Sequence, residues 1–353
     1  MRSKSYIMKN IILIIFLITC LQGCGSQPVA EEFRAVWLHQ TLFDRNKEIA
    51  DKQIRDLFDS YDSIGINNLF CYYTLKEENG LDWDFLKVII DEGHKRGIKI
   101  HPVFCPGHTI DSNQFVPRHR DWLIRDMDGK YYPNLNLCLP EVRQYWLGVV
   151  SQAMKYDIDG IHLDYIRFPV NQRFSYDSVT CNLFKKEYGF TPVEVSHDGG
   201  SMIWCEWIKW NEKQVTGLVK EVHDLIVSSG KKIELGADVF PDPAQSRVDI
   251  AQNWGEWARQ GTIDFVCPML YTNDTDLFSS YLRDALNIAK GTDCRVYAGL
   301  GIGTSHNKIT GDLLLKEIRI TRSEGSGGFA FFSGYSLNQN FRDILKNSGL
   351  KQD

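Results

Sequence analysis

The chain has 353 residues, of which 43% are hydrophobic and 12% aromatic, and this composition excludes a disordered or fibrous polypeptide. The formal net charge is -5, so the chain is not built to neutralise phosphate groups, and no nucleic acid partner is expected. The length is compatible with one large domain.

Residues 1–24 have the features of an export signal. A basic start with Arg2 and Lys4 precedes the unbroken apolar run from Ile11 to Ile18. This run is shorter than the roughly 20 residues of a membrane-spanning helix, so it is typical of a signal peptide. The sequence Leu-Gln-Gly-Cys that ends at Cys24 resembles a bacterial lipobox.

That resemblance implies that Cys24 is lipidated as the first residue of the mature protein and that residues 25–32 form a short tether. The alternative is an ordinary cleaved signal with an incidental cysteine. Both interpretations predict export, and the first predicts a lipoprotein of the bacterial cell envelope that is anchored to a membrane.

The chain contains nine cysteines, and seven remain once Cys20 and Cys24 are set aside. They are scattered, without the paired Cys or His spacing of a zinc site. We therefore expect no disulfide framework, no metal and no cofactor.

Residues 33–353 show a repeated alternation of strand and helix patterns. The predicted strands are 34–41, 66–74, 98–106, 158–169, 232–240, 263–272, 294–301 and 328–335. The predicted helices are 49–64, 85–95, 140–156, 203–228, 250–259, 277–290, 312–323 and 340–347. Two long loops, 107–139 and 171–201, interrupt the pattern, and inserts of this size are usually functional.

Eight strands, each followed by a helix, predict an α/β fold: a single-domain (β/α)8 TIM barrel whose active site lies at the carboxyl ends of the strands. The competing fold, an open doubly wound sheet, needs a glycine-rich turn after its first strand. The segment LHQTLFDRN at that position contains no glycine.

The predicted fourth strand contains the strongest candidate for catalysis. His162 and Asp164 lie two residues apart, so their side chains point to the same side of the strand. A buried carboxylate costs several kcal/mol unless it is paired or used. Asp164 is therefore either a catalytic group or a structural partner of Arg167 or His162.

Other polar and aromatic residues are expected at the carboxyl ends of the strands, and they include no Ser-His pair and no metal triad. The set comprises Trp37, His39, Tyr73, His101, His162, Arg167, Asp238, Tyr271 and Asn273. Carboxylates combined with aromatic rings suit the hydrolysis of glycosidic bonds, which needs an acid, a second carboxylate and flat surfaces for sugar rings.

Asp164 and Asp238 are predicted to be the catalytic pair. Trp37, His39, His101, His162, Arg167, Tyr271 and Asn273 are predicted to bind substrate. The alternatives are a capping or Arg167-pairing role for Asp238, hydrogen-bonded positions in the wall of the barrel mouth for the histidines, and packing roles for Trp37 and Tyr271.

Two carboxylates on adjacent strands should separate in pKa, so that one stays protonated. Their closeness favours the retaining mechanism, in which the carboxyl groups lie about 5 to 5.5 Å apart.

Six segments together resemble a family of glycosyl-hydrolase-like TIM-barrel proteins of the bacterial envelope. They are RAVWLHQT at 34–41, GIKIHPVF at 97–104, LPEVRQYW at 139–146, DGIHLDYIRFP at 159–169, GADVFP at 236–241 and IDFVCPMLYT at 263–272. The resemblance implies a barrel, an envelope location and a catalytic Asp164, in a family whose members include proteins that cleave peptidoglycan glycan strands. Asp164 is followed by Tyr165, whereas many relatives carry paired acids there.

Two functions are compatible with these features. The first is a glycoside hydrolase of the cell envelope that acts on a polysaccharide or glycan strand. The alternative is a glycan-binding lipoprotein that has the barrel but is not catalytic.

Overall fold

The computed structural model describes residues 31–75, 79–108, 119–171, 174–194 and 201–351. Residues Phe33–Asp353 form one compact unit. Cys24, with the predicted signal and most of the predicted tether, lies outside the described residues. Within the described ranges, no helix combines the length and the apolar character needed to cross a membrane.

The unit is built on a parallel sheet of nine strands that curls into a barrel. In the order of hydrogen-bonded neighbours, the strands are β10 (Ala298–Gly301), β11 (Gly328–Phe332), β1 (Phe33–Leu38), β2 (Asn68–Tyr72), β3 (Lys99–Phe104), β6 (Gly160–Leu163), β7 (Glu234–Val239), β8 (Phe265–Pro268) and β9 (Arg295–Val296). Two further strands, β4 (Leu123–Arg125) and β5 (Tyr131–Leu135), form a separate antiparallel hairpin.

The seventh strand of the barrel is interrupted, and its two parts, β9 and β10, close the barrel. The first part pairs with β8, and the second pairs with β11. The strands β9 and β10 are separated only by Tyr297, whose N–H donates to the Val266 carbonyl at 3.0 Å. A parallel bridge pairs Met269 with Gly299, so the chain after β8 also contacts β10. The predicted (β/α)8 barrel is therefore confirmed.

Helices cover the outside of the barrel. They are α1 (Lys47–Ser63), α2 (Phe85–His94), α3 (Pro140–Ala153), α4 (Ser178–Tyr188), α5 (Met202–Ser229), α6 (Pro243–Ile250), α7 (Trp254–Arg259), α8 (Thr275–Ala289), α9 (Gly311–Ser323) and α10 (Gln339–Asn347). Polar residues at the ends of loops cap most of them, as Asn46 does by accepting hydrogen bonds from the first turn of α1.

The loops predicted at 107–139 and 171–201 contain regular structure that the sequence interpretation missed. The first loop carries the β4–β5 hairpin, and the second carries α4. Asp177 caps α4, and Gly189 ends it in a left-handed conformation with φ +85°. The helix α5 begins at Met202, one residue before its predicted start at 203.

The helix predicted at 250–259 is shorter than predicted and is preceded by a helix, α6, that was not predicted. Asp242 caps α6, and Pro243 occupies its first turn. Ala251 ends α6 with φ +57°, and α7 begins at Trp254.

Side chains rather than solvent fill the barrel. Near the amino ends of the strands, the rings of Phe33 and Tyr297 stack with centroids 3.9 Å apart. One layer higher, Phe70 stacks on His162 at 4.0 Å. Trp37, which is also buried, lies edge-on to His162 at 5.9 Å. This packed interior leaves only its upper surface, at the carboxyl ends of the strands, available for a site.

Glu317, on the buried face of α9, is the source of a predicted pH dependence of stability. It is 1% exposed, and its two carboxylate oxygens have no hydrogen-bond partner in the described part of the chain. Burial raises the pKa of Glu317 to about 8. Between the ordinary pKa of glutamate and pH 8, the folded protein keeps this proton and the unfolded chain has lost it. The free energy of unfolding should therefore fall as the pH rises through this range.

Glu317→Gln should therefore raise the free energy of unfolding at pH 8 by on the order of 2 to 4 kcal/mol, with little change near pH 4. Urea unfolding at several pH values measures this. Glu92→Gln is the control: burial raises the pKa of Glu92, but its hydrogen bonds and ion pairs with Lys95 and Arg96 give a net lowering. That variant should lose stability at neutral pH, and a wild-type pH dependence retained in Glu317→Gln would contradict the prediction.

Candidate active site

The strand register brings Asp164 and Asp238 to neighbouring positions. Leu163 of β6 pairs with Ala237 of β7, so the residues that follow them lie side by side at the carboxyl end of the barrel. Directly paired residues of parallel strands point to the same side of the sheet. The two carboxylates predicted to act together therefore share one region of the barrel mouth.

Asp164 is half-buried, and both of its oxygens accept hydrogen bonds. The Tyr72 hydroxyl donates to Oδ2 at 2.9 Å, and the Tyr165 backbone N–H donates to Oδ1 at 2.6 Å. The Cys105 thiol lies 3.9 Å from Oδ2. The hydrogen-bond partners that the described residues provide for Asp164 are thus neither Arg167 nor His162, which were the structural alternatives.

Asp238 is more deeply buried, at 3% exposure. Its Oδ1 lies 3.0 Å from His162 Nε2, although the angles there do not meet those of a hydrogen bond. Burial and the neighbouring charge of Asp164 raise the pKa of Asp238 well above its ordinary value. The Trp37 indole N–H, which approaches the carboxylate without good hydrogen-bond geometry, and the charge of Arg167 partly offset this increase.

The alternative role of Asp238 as a helix cap does not apply. Asp242 provides the cap of α6 by accepting a hydrogen bond from the Gln245 N–H at 2.9 Å. Arg167 stacks on the rings of Tyr165 and Phe240, with its guanidinium carbon 3.7 and 4.7 Å from the ring centroids.

The segment after Asp164 has a strained backbone. Tyr165 has φ +50°, a conformation that costs a residue with a Cβ about 1 to 3 kcal/mol and that concentrates at functional sites. The contacts that hold it include the hydrogen bond from the Tyr165 N–H to Asp164, the stacked Arg167, and the Gly107 N–H, which donates to the Tyr165 carbonyl at 3.0 Å. The strand predicted at 158–169 accordingly ends at Leu163.

Tyr72, rather than the predicted Tyr73, is the tyrosine of β2 that reaches the site. The Tyr72 hydroxyl donates a hydrogen bond to Asp164. Burial is the main cause that raises the pKa of Tyr72, and the charge of Asp164 raises it further. Tyr73 belongs to the core between barrel and helices, where its ring lies 5.6 Å from that of Phe104. Alternation along the strand could have located Tyr72, because a shift of one residue moves a side chain to the other face of the sheet.

His101 lies deep in the barrel rather than at its mouth, so its predicted role in substrate binding does not fit its position. It is fully buried near the beginning of β3, and its Nε2 lies 2.9 Å from Asn68 Oδ1. Burial lowers the pKa of His101 to about 3. His162 is also fully buried, but it lies one layer higher and touches Asp238.

Of the remaining predicted binding residues, His39, Tyr271 and Asn273 lie around the mouth, and Trp37 is buried beneath it. His39 follows β1 and its ring lies 5.7 Å from that of Tyr72. Tyr271 stacks on Phe332, with ring centroids 5.4 Å apart. Burial raises the pKa of Tyr271, and the charges of Asp238 and Asp164 raise it further. Asn273 is exposed, and its amide donates to the Lys308 carbonyl at 3.3 Å. Trp37 contacts the ring of Phe332 at 5.6 Å.

Cys267 joins His162 and Asp238 in a group whose ligand atoms all lie within 4.8 Å of one another. The group does not fit a zinc site. A structural site uses four protein ligands, and a catalytic site pairs three ligands with an open position for water. Here three side chains converge, and all three are at least 97% buried: His162 and Cys267 have exposures of 0%, and Asp238 has an exposure of 3%.

The fold and its mouth therefore define a class: a (β/α)8 barrel with two unlike carboxylates among aromatic rings at the carboxyl ends of the strands. Residues 71–314 match the family described as Glycosyl hydrolase-like 10, and the chain belongs to that family.

Among relatives, the chain is 22% identical to Glycosyl hydrolase YngK of Bacillus subtilis over 294 residues, which are 68% of this chain and 54% of that protein. It is 25% identical to Glycosyl hydrolase DigH of Escherichia coli K12 over 256 residues, which are 62% of this chain and 54% of that protein. The chain thus spans about half the length of these relatives.

Among solved structures, the glycoside hydrolase domain of PgaB (BpsB) from Bordetella bronchiseptica superposes with a TM-score of 0.70 at 12% identity, over 89% of this chain and 99% of that one. The β-galactosidase Gan42B from G. stearothermophilus gives a TM-score of 0.66 at 11% identity, over 91% and 56% of the two chains. At these identities the similarity establishes the fold.

Gly107 supports the site by its lack of a side chain. A Cβ there would lie 2.3 Å from the Arg167 carbonyl oxygen and 2.6 Å from that of Tyr165. Gly107→Ala should therefore displace the segment after Asp164 and lower the free energy of unfolding by about 1 to 3 kcal/mol.

Thermal unfolding measures this effect. Gly148→Ala on α3 is the matched control, because a Cβ there meets nothing within 4 Å and alanine favours a helix by up to about 1 kcal/mol. Equal stability of Gly107→Ala and the wild type would refute the steric argument.

Proposed function

We propose that this protein is a glycoside hydrolase in which Asp238 is the general acid and Asp164 is the carboxylate that attacks the sugar or activates water. The observation that carries the proposal is the unlike setting of two adjacent carboxylates. Asp164 is half-buried and accepts two hydrogen bonds, while the pKa of the buried Asp238 is raised. Glycosidases separate an acid from a second carboxylate by such differences of environment.

The surroundings of the pair support a sugar substrate. Tyr72, Tyr165, Tyr271 and Phe332 are partly exposed aromatic side chains in or beside the mouth. Aromatic rings offer flat surfaces to the apolar faces of pyranose rings, and His39 and Asn273 offer polar atoms at the rim. The substrate class we propose is a polysaccharide or glycan strand of the bacterial cell envelope.

Asp164→Asn and Asp238→Asn should each lower kcat/KM on a hydrolysable glycan by about a hundredfold or more while leaving the fold intact. Asparagine keeps the size of the side chain but removes its charge and its titration. In the wild type, activity should decline as the pH rises through the raised pKa of Asp238, because the acid then loses its proton. Digestion of a glycan panel with product analysis measures both effects, and the anomeric form of the products distinguishes retention from inversion.

Asp157→Asn is the matched control. It makes the same chemical change before the amino end of β6, where the Asp157 side chain is 94% exposed. That variant should retain wild-type activity. Full activity in both site variants would remove Asp164 and Asp238 from the mechanism, and binding of glycans without turnover in the wild type would favour the non-catalytic alternative.

We also propose that the protein is a lipoprotein anchored through Cys24. The support is the basic start, the short apolar run and the lipobox-like ending of residues 1–24. Cys24→Ala should move the protein from the membrane to the soluble fraction without lowering its activity on soluble glycan, because Cys24 precedes the barrel. Fractionation with immunodetection measures this, and membrane association retained by the variant would contradict the anchor.

A further inference from the structure

His162 is a buried histidine whose contacts differ from those of a packing residue. Both ring nitrogens lack a hydrogen-bond partner of good geometry among the described residues, yet Nε2 lies 3.0 Å from Asp238 Oδ1. Unpaired buried polar atoms are uncommon in native proteins and require an explanation. The orphaned Oδ1 and the orphaned Nε2 face each other, so one small adjustment satisfies both.

We propose that His162 is a positioning residue, whose neutral Nε2–H form holds Oδ1 of Asp238 and leaves the acid proton on Oδ2. This inference rests on the proposed function, since it assigns the general acid an orientation. Oδ1 is the buried oxygen that faces His162. The proposal therefore assigns the acid proton, and the contact with the substrate, to the other oxygen, Oδ2.

Two proton arrangements can join a neutral imidazole to a protonated carboxyl group. In one, the carboxyl donates from Oδ1 to Nε2, which directs its proton into the core and leaves Nδ1–H as a buried donor without a partner. In the other, Nε2–H donates to Oδ1 and leaves Nδ1 as an unpaired acceptor. Buried orphan donors are rarer than under-satisfied acceptors, so the second arrangement is favoured.

The neighbours of His162 keep its ring neutral and fixed. The ring lies nearly parallel to Phe70, at 4.0 Å and 17°, and to Phe265, at 5.6 Å and 22°. Burial lowers the pKa of His162 to about 3, against the opposing charge of Asp164. Gly236, paired with His162 in the sheet, admits the Phe265 ring, which lies 2.1 Å from the position of a Cβ there.

The charged and titratable groups around Asp238 come from several elements. They are Tyr72 on β2, Cys105 after β3, His162 on β6, Asp164 and Arg167 after β6, Cys267 on β8 and Tyr271 after β8. His162 is the member whose donor atom approaches the buried oxygen of Asp238. Removal of that donor should disfavour the ionised carboxylate and raise the pKa of Asp238.

The first test uses the intact wild-type protein and needs no turnover. In 15N NMR of histidine-labelled protein, His162, identified by the loss of its signals in His162→Gln, should be the neutral Nε2–H tautomer from pH 5 to pH 8. A Nδ1–H tautomer or a charged ring at pH 7 would overturn the proposal. A stoichiometric transition metal on His162, Asp238 and Cys267 in the purified protein would also overturn it.

The second test separates positioning from packing. His162→Phe keeps a ring in the core but removes the donor, whereas His162→Gln keeps an N–H near the position of Nε2. The Phe variant should lose about tenfold in kcat with little change in KM, and the alkaline limb of its pH profile should move to higher pH. In His162→Gln, both kcat and the alkaline limb should stay closer to the wild-type values than in the Phe variant. His101→Gln, a matched change one layer deeper in the barrel, should alter neither kcat nor the pH profile.

Carbon-13 titration of the Asp238 carboxyl group gives the same comparison without a substrate. Its pKa should rise in His162→Phe and stay near the wild-type value in His162→Gln and His101→Gln. An unchanged Asp238 titration in the Phe variant, or an equal shift in His101→Gln, would assign His162 a packing role only. A wild type without turnover would defeat the proposed hydrolase, yet both NMR measurements would still decide the contact between His162 and Asp238.

Discussion

The placement of two carboxylates side by side in a largely buried barrel mouth is the constraint on which the rest of the site depends. A charged carboxylate removed from water costs several kcal/mol unless donors or opposite charges compensate. The protein meets this cost differently at the two positions. Asp164 accepts hydrogen bonds from Tyr72 and from the next backbone N–H, whereas Asp238 is enclosed and has a raised pKa. Two identical side chains thereby acquire different chemistry.

The unusual backbone after Asp164 follows from the same constraint. A hydrogen bond from the Tyr165 N–H back to the preceding carboxylate accompanies a sharp exit from the strand, and Tyr165 adopts a left-handed conformation there. The chain after β3 supports this turn through Gly107, and the β4–β5 hairpin supports Gly107 in turn, since the Asn134 amide donates to the Gly107 carbonyl at 3.1 Å. The long insertion after β3 therefore helps to build the site.

Membership of the Glycosyl hydrolase-like 10 family and the similarity to glycosidase barrels agree with this chemistry. The structural similarity concerns the barrel, a scaffold that hosts many reactions. The proposed reaction is argued instead from Asp164, Asp238 and the groups that touch them. His162 belongs both to the scaffold and to the proposed reaction, because it is part of the packed barrel interior and also contacts the proposed acid.

The sequence by itself determined the barrel and its two carboxylates, because strand and helix periodicity and the end of each strand are local features of the chain. It did not show that Tyr72 rather than Tyr73 reaches the site, or that His101 lies deeper in the barrel than His162. Those differences depend on which face of each strand turns inward and how far along the barrel each residue lies, and only the pairing of distant strands sets both. The hairpin and α4 were hidden in polar loops for the same reason: contacts with distant parts of the chain stabilise them, as the packing of Phe184 against Trp207 shows for α4.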